Sequence, residues 1–471
     1  MKICSRRTRW QLLSTMILCI MSLTHGISLG WFSPTLPTLI SDNSPIGHPI
    51  DISEVKWYFS IVNLGVNLTC IIEISRIGAA FGIGCLICNM VICVPVSYIG
   101  IKKCMYFVPL PNILNWILIY FASKSLYFYV CRVLLGFSGG TLVVCFPVFI
   151  AEVSDNSVRG TLGSFFMMTL CSGITVGFVL VYCLSYHVLP CVVVFLPILY
   201  LCLIIPLPEP PQDLLKRGYE EKAEKSFCFY KNLSKDPAQQ AENKAEFDIL
   251  RNKVLASGIT EKITSADFFN KVSGKAFGLI AVLLLSNQMS GSFAIFNYSS
   301  TIFEQLGSRM EPNLCGIFLG VVQIFGLISA VLLVDRVGRR LLLIPSLAGM
   351  GLAELGVGLL KSFASQDFLH NNGWIALTLM GIVSFTASAG IVALTFVIIV
   401  ELLPFKIRAP GISISMCGLS LSVFIALITY PVLINDYGVH VTMFVSASFC
   451  LLGLIVLGIF LPETRGKSIT Q

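Results

Sequence analysis

Charged residues are scarce in this chain of 471 residues, of which 12% are Asp, Glu, Lys or Arg and 55% are apolar. Soluble globular domains carry about 25% charged residues, so the shortage excludes a soluble enzyme. Histidine is rare too: there are five, and none is grouped in the sequence with Asp, Glu or Cys as a catalytic dyad requires. We therefore predict neither an enzyme nor a cofactor.

Closely spaced cysteine pairs are scarce as well, although the chain contains seventeen cysteines. Most of them stand singly inside apolar runs, without the short paired spacing that holds a metal ion. We interpret them as small residues buried in lipid or in the protein core. No metal site is predicted.

Long apolar runs, by contrast, recur along the whole chain. Each can cross a hydrocarbon core of about 30 Å, and each must be helical because lipid offers no partner for backbone polar groups. The predicted fold is an all-α membrane protein with twelve transmembrane helices. The spans lie near residues 12–34, 57–97, 105–122, 127–150, 161–183, 189–206, 277–302, 314–334, 341–360, 374–400, 409–430 and 440–461.

Basic residues collect on one side of these spans. With both chain ends on that side, the opposite side keeps only Lys56, Lys124, Arg309 and Lys361. The positive-inside rule makes the basic side cytoplasmic. We expect a multi-pass protein of the plasma membrane with both termini in the cytoplasm. The lipid bilayer is its partner, and the net charge of +7 does not indicate a nucleic acid.

The two halves of the chain carry similar short motifs at matching positions. Glu152 precedes Arg159 by seven residues, as Glu401 precedes Arg408, and Leu-Pro-Glu closes both halves. Such a repeat predicts two related six-helix units. The predicted segments are a first bundle at 1–207, a cytoplasmic linker with short helices at 208–275, a second bundle at 276–461 and a cytoplasmic tail at 462–471.

Five sequence pieces in a fixed order carry a family resemblance. They are RVLLGF at 132–137, AE at 151–152 followed by RGTLG at 159–163, NQMSG at 287–291, DRVGRR at 335–340 and PETRGK at 462–467. With them, the chain resembles the sugar porter family of the major facilitator superfamily, most closely its insect trehalose transporter-like branch. The resemblance covers nearly the whole length. It implies a carrier that moves a sugar between two six-helix bundles by alternating access.

The resemblance also implies where the sugar binds, mainly on helices five, seven, eight, ten and eleven. Amides and hydroxyls suit a polyol because they donate and accept hydrogen bonds. An amide in a membrane helix often bonds only to another helix, for about 0.6 kcal/mol, and for Gln323 that reading carries equal weight. The matching substrate-binding positions are Asn287, Gln288, Gln323, Tyr298, Phe293, Ser388, Phe396 and Met167.

Several of these positions differ from the family's usual residue. Met167 stands for a glutamine, Phe293 and Leu419 for asparagines, and Phe396 for a tryptophan. The cavity is thus less polar than that of a typical glucose carrier. Trehalose, a hexose, another polyol and an unrelated amphipathic solute stay open as substrates. A non-transporting sugar sensor is the alternative function.

Charged residues of the motifs lie where helices enter the cytoplasm. Acid–base pairs between neighbouring helices can hold that side closed in one state and break in the other. The alternative is that they only anchor helix ends and set the topology. The predicted gating residues are Arg132, Glu152, Arg159, Asp335, Arg336, Arg339, Arg340, Glu401, Arg408, Glu463 and Arg465.

Phe32 favours facilitated diffusion over proton coupling. Proton-linked members of the family carry an aspartate at this position of the first helix, next to the arginine matched by Arg132. Without a titratable carboxylate there, a proton cannot be exchanged in step with the sugar. Glu354 lies in the ninth span, which the family places at the bundle periphery, and we do not expect it to bind a coupled proton.

The second span is too long for one helix. Residues 57–97 would extend for about 60 Å as a helix, twice the thickness of the hydrocarbon core. Two helices would reverse the topology of everything downstream and contradict the distribution of basic residues. We therefore predict an insertion near 66–84, either a retained non-coding stretch or a loop that disrupts helix two.

Overall fold

The computed structural model describes residues 8–41, 44, 69–155, 158–232, 244–252, 254, 265–307, 309–404 and 407–463, with all side chains in these ranges except those at 40, 69–74, 93, 97, 265, 266, 335, 408 and 409. All regular secondary structure within these ranges is helical, and no strand occurs there. The all-α prediction is therefore confirmed. Nine helical stretches of this part are long and apolar enough to cross a membrane.

The first half consists of ten helical pieces that make six spans. Four of the spans consist of two pieces separated by one residue, which keeps right-handed helical backbone angles in each case: Trp31, Ile92, Val108 and Val194. The pieces are α1 (Arg9–Gly30), α2 (Phe32–Ile40), α3 (Thr69–Val91), α4 (Cys93–Ile99), α5 (Ile101–Phe107), α6 (Pro109–Tyr120), α7 (Ser125–Val153), α8 (Arg159–Cys183), α9 (Val188–Val193) and α10 (Phe195–Ile204).

The linker and the second half follow the same plan. In the linker we label α11 (Pro211–Lys216), α12 (Glu220–Tyr230) and α13 (Ser265–Phe268). The second half contains α14 (Lys271–Met289), α15 (Ala294–Asn297), α16 (Ser299–Leu306), α17 (Pro312–Val337), α18 (Arg339–Phe363), α19 (Gln366–Asn371), α20 (Gly373–Ala389), α21 (Ile391–Leu402), α22 (Arg408–Asp436) and α23 (Gly438–Phe460).

Glycines bring helices of the first half into backbone contact. A Cβ atom at Gly26 of α1 would lie 2.8 Å from the Cα atom of Gly173 in α8. One at Gly84 of α3 would lie 3.1 Å from the Cα atom of Gly136 in α7. Small residues at such crossings let membrane helices approach closely and gain packing energy. The first half is therefore tightly packed at both crossings.

The halves meet where α3 packs against α22, where α8 packs against α17 and where α2 touches α16. Gly82 of α3 leaves no room for a side chain, because a Cβ atom there would lie 2.7 Å from the Cα atom of Phe424. At the α2–α16 contact, the hydroxyl oxygens of Ser33 and Ser299 are 3.1 Å apart. The backbone N–H of Ser300 also donates to the Ser33 hydroxyl, at 3.3 Å.

Helix α3 bears on the predicted insertion near 66–84. Residues 69–84 belong to one continuous helix that runs from Thr69 to Val91, and Ser75, Ile77 and Phe81 are buried in it. The loop form of the prediction, in which helix two is disrupted, does not fit this helix. The surplus length remains a prediction, and residues 66–68 lie outside the described part of the chain.

Candidate functional site

Helix seven is interrupted near its middle. Helix α14 ends at Met289 and α15 begins at Ala294, whereas the sequence predicts one span over 277–302. Gly291 in the break has φ +74°, a conformation that favours glycine. A Cβ atom there would also lie 2.6 Å from the hydroxyl oxygen of Tyr430. Discontinuous helices of this kind form the binding sites of many transporters.

Asn287 and Gln288 stand at the end of α14, next to this break, and each is 6% exposed. The Asn287 amide donates to the Thr395 hydroxyl of α21 at 3.2 Å. The Ser292 hydroxyl lies 3.2 Å from the Asn287 side-chain oxygen and donates to it. Asn287 therefore ties the break to helix ten. The side-chain oxygen of Gln288 is buried and accepts no hydrogen bond from the described residues.

Two further predicted residues present buried polar atoms. The side-chain oxygen of Gln323 in α17 and the hydroxyl of Ser388 in α20 make no hydrogen bond within the described part of the chain. Ser388 belongs to the α17–α20 contact, where a Cβ atom at Gly326 would lie 2.9 Å from the Cβ atom of Ser388. Leaving such a group unpaired costs about 1–3 kcal/mol, which a bound polyol would recover.

Aromatic rings join the two halves beside the break. Phe293 stacks on Phe81 of α3, with ring centroids 5.9 Å apart and 29° between planes. Phe81 in turn lies 6.2 Å from the ring of His25 in α1. The Tyr298 hydroxyl donates to the Leu427 carbonyl at 2.9 Å. These rings supply a flat apolar wall of the kind that a sugar ring requires.

His25 was not predicted from the sequence. It is 3% exposed, and its Nδ1 atom has no hydrogen-bond partner among the described residues. An ionisable residue inside an apolar span is the signal that identifies it. Phe396 and Met167 do not share one environment: Phe396 packs against the core that includes Tyr298, whereas Met167 packs against a separate cluster of the first half.

Four of the predicted gating residues of the second half form one cluster: Arg339, Arg340, Glu401 and Glu463. The guanidinium Nε of Arg339 lies 3.2 Å from a carboxylate oxygen of Glu401, which joins α18 to α21. The carboxylate of Glu463 accepts the backbone N–H groups of Arg339 and Arg340 at 3.1 and 3.2 Å. Arg336 is exposed at the end of α17. The side chains of Asp335 and Arg408, and all of Arg465, lie outside the described residues.

In the first half the gating residues contact the linker or their own neighbours. A carboxylate oxygen of Glu152 lies 2.8 Å from the Lys216 ammonium of α11, a partner that the sequence did not indicate. Arg159 donates to the Ser154 carbonyl at 3.3 Å. These contacts stay within the first half or join it to the linker.

The linker helix α11 has an ion pair of its own. The guanidinium of Arg217 pairs with the Asp213 carboxylate at 2.8 Å and also with Glu209. Burial raises the pKa of the Asp213 carboxyl by more than Arg217 lowers it. The i,i+4 spacing of Asp213 and Arg217 is visible in the sequence.

Arg132 does not lie with the other gating residues. It is 3% exposed in the membrane part of α7, and its guanidinium carbon lies 3.7 Å from the centre of the Phe32 ring. None of its three side-chain nitrogens makes a hydrogen bond to a described residue. The structure therefore places Arg132 in an aromatic surrounding and separates it from the charge pairs above.

Comparison with known proteins identifies the fold. The chain is similar to the xylose transporter XylE from E. coli in its inward open conformation, with 17% identity, a TM-score of 0.77 and coverage of 98% of both chains. XylE bound to 6-bromo-6-deoxy-D-glucose gives 20% identity and a TM-score of 0.69, with 98% of both chains covered. The major facilitator fold, with twelve helices in two bundles, is confirmed.

Proteins with similar sequences include transporters that are named for trehalose. A facilitated trehalose transporter Tret1-2 homolog of Drosophila simulans is 29% identical over 80% of this chain and 76% of its own length. The facilitated trehalose transporter Tret1 of Culex quinquefasciatus is 28% identical over 98% of this chain and 84% of its own. The family model described as "Sugar (and other) transporter" matches residues 69–471. The chain belongs to this family of sugar transporters, which are carriers and not enzymes.

Proposed function

We propose that the protein is a facilitative uniporter that carries a sugar, trehalose or a hexose, across the plasma membrane by alternating access. The observation that carries the proposal is the break in helix seven, where Gln288 holds a buried oxygen without a protein partner among the described residues. A sugar hydroxyl is a donor that suits this oxygen. The names of the trehalose-transporting relatives support a disaccharide.

Uniport is supported by the surroundings of Arg132. The described residues that line its cavity are Trp31, Phe32, Asn115, Phe128, Cys131 and Leu135, and no carboxylate is among them. A proton-coupled carrier needs a titratable group that faces its pathway. Glu354, fully buried on α18, accepts a hydrogen bond from Cys450 of α23 at 3.5 Å. It contacts a neighbouring helix of its own half.

The charge clusters support a role in gating. The Arg339–Glu401 pair and the Glu463 carboxylate hold together the ends of three membrane helices in the second half. Orientation of both termini toward the cytoplasm would put this cluster at the inner gate. A change in these pairs on opening would bias the equilibrium between inward-facing and outward-facing states.

Uptake by liposomes that contain the purified chain tests the proposal. A panel of radiolabelled trehalose, glucose and linear polyols should show saturable uptake of at least one sugar to the external concentration. Protein-free liposomes and the Gln288→Ala variant are the controls. Sugar binding without uptake would indicate the sensor alternative and overturn the proposal.

A further inference from the structure

Arg132 is a buried cation surrounded by hydrogen-bond donors and aromatic rings. Arg132 stands seven residues after Ser125, about 10 Å along α7 from its first residue, and is 3% exposed. A guanidinium is charged at every physiological pH. In a low-dielectric surrounding, a charge without an opposite charge is unfavourable, and a single ring at 3.7 Å compensates only part of that cost.

The cavity around Arg132 is lined mainly by apolar groups and by hydrogen-bond donors. Asn115 of α6 is 1% exposed, and its amide nitrogen, like the three nitrogens of Arg132, has no hydrogen-bond partner among the described residues. The hydroxyl of Tyr298 is already used, because it donates to the Leu427 carbonyl. Two neighbouring groups therefore offer N–H donors and positive charge to one small space.

Phe32 is placed so that its ring can uncover this space. It is the first residue of α2, and Trp31 between α1 and α2 keeps helical backbone angles, with φ -66° and ψ -26°. Its ring lies against the face of the guanidinium. The space has no room for a water-sized group while the ring lies there, so the ring has to move before an anion enters. A change of the Phe32 side-chain rotamer would move it without a change in the helix.

We propose that this cavity binds one small anionic group, held by the guanidinium of Arg132 and the amide of Asn115. Charge-assisted hydrogen bonds from a guanidinium to an anion are the strong ones in proteins. The anionic group is either a free halide such as chloride or the carboxylate of the transported solute. The proposal does not depend on sugar transport, and it assigns to Arg132 a role other than gating.

Thermal unfolding of the purified full chain tests binding without any transport measurement. Sodium chloride, sodium glucuronate and glucose are titrated separately against sodium MOPS at constant ionic strength, because the MOPS anion is too bulky for the cavity. We expect a saturable rise in Tm of about 2 °C or more in chloride, in glucuronate, or in both. Any rise in glucose reports the sugar site and is the reference for glucuronate. A rise in glucuronate beyond that reference, without one in chloride, assigns the anion to the solute.

Two matched variants locate the site. Phe32→Asp places a carboxylate beside the guanidinium and should remove the response to added anion, whereas the uncharged Phe32→Asn should keep it. Arg132→Gln should remove it as well. An equal Tm in all three salts, or a full response in Phe32→Asp, would overturn the proposal. Sugar uptake by the same preparations shows independently whether the proposed function holds.

Discussion

Asn287 and Gln288 are neighbours in the sequence, but their side chains have different partners. Asn287 is held by Thr395 and Ser292, whereas the Gln288 oxygen has no partner among the described residues. The sequence predicts the amide pair but not this division, because the break that separates their surroundings is a tertiary feature. One amide is suited to position the break and the other to contact the ligand.

Replacement of Gln288 tests this division. We expect Gln288→Ala to lower uptake by about tenfold or more while surface expression stays normal, since hydrogen bonds to the sugar worth about 1 kcal/mol each are lost. Asn287→Ala should be less severe for uptake and should lower Tm, because it releases the helix break. The measurements are initial uptake rates and thermal unfolding. Unchanged uptake kinetics in Gln288→Ala would contradict the assignment.

Glu354 offers a second test at a single residue. It is fully buried between α18 and α23, where a carboxylate charge would be unfavourable. Glu354→Gln keeps the shape without the charge and should retain uptake and Tm. Glu354→Ala leaves a cavity and should lower stability by about 2 kcal/mol. Loss of sugar uptake in Glu354→Gln with normal folding would show that the acid itself takes part in transport.

The pair between Arg339 and Glu401 allows a charge-swap experiment. Arg339→Ala, Glu401→Ala or Arg408→Ala should shift the carrier toward inward-facing states, because each removes one charged group from the cytoplasmic helix ends. Labelling of a cysteine introduced on the cytoplasmic side, measured in a background without the native exposed cysteines, should rise. The double variant Arg339→Glu/Glu401→Arg should restore the original level. Unchanged labelling in every variant would indicate topological anchors.

At the scale of helices, the sequence predicts the spans well and their interruptions poorly. All twelve predicted spans contain helix in the described residues, because lipid allows no other backbone conformation. The break after Met289 was not predicted, since apolar residues predominate on both sides of it. The core-facing and lipid-facing sides are equally apolar, so periodicity does not reveal packing partners. For that reason the Glu152–Lys216 contact and the surroundings of Arg132 required the structure.

The insertion predicted near residues 66–84 can be tested by shortening helix α3. Deletion of residues 66–78 shifts the preceding sequence by thirteen positions. Gly65 then takes the place of Gly78, whose Cα faces Tyr298, and Leu64 takes the place of the buried Ile77. The shortened helix keeps its packing residues and loses Arg76. We therefore expect this deletion to retain or improve surface expression and uptake.

A deletion of equal length supplies the control. Removal of residues 79–91 takes away Gly82 and Gly84, which the contacts with α22 and α7 require, and should abolish surface expression. Surface biotinylation and uptake measure both variants. Loss of transport in the 66–78 deletion, together with transcripts that all contain this stretch, would show that it is a genuine part of the carrier.

At the scale of the whole molecule, the expectation concerns energy coupling. Because Phe32 cannot titrate and the described cavity around Arg132 contains no carboxylate, uptake should equilibrate the sugar and should not concentrate it. A protonophore should leave both the initial rate and the final level unchanged in reconstituted liposomes. Accumulation above the external concentration that a protonophore abolishes would contradict uniport.

The small contact between α2 and α16 has a consequence for how the carrier switches. Backbone contact at Gly26 and at Gly84 makes the first half stiff, whereas at α2–α16 it meets the second through the Ser33 hydroxyl and its two hydrogen bonds. Exchange of such bonds for bonds to water changes the free energy by about 0.5–1.5 kcal/mol each. Neither arrangement of the two halves is therefore strongly preferred at this contact, and under the proposed uniport the solute gradient decides the direction of net flow.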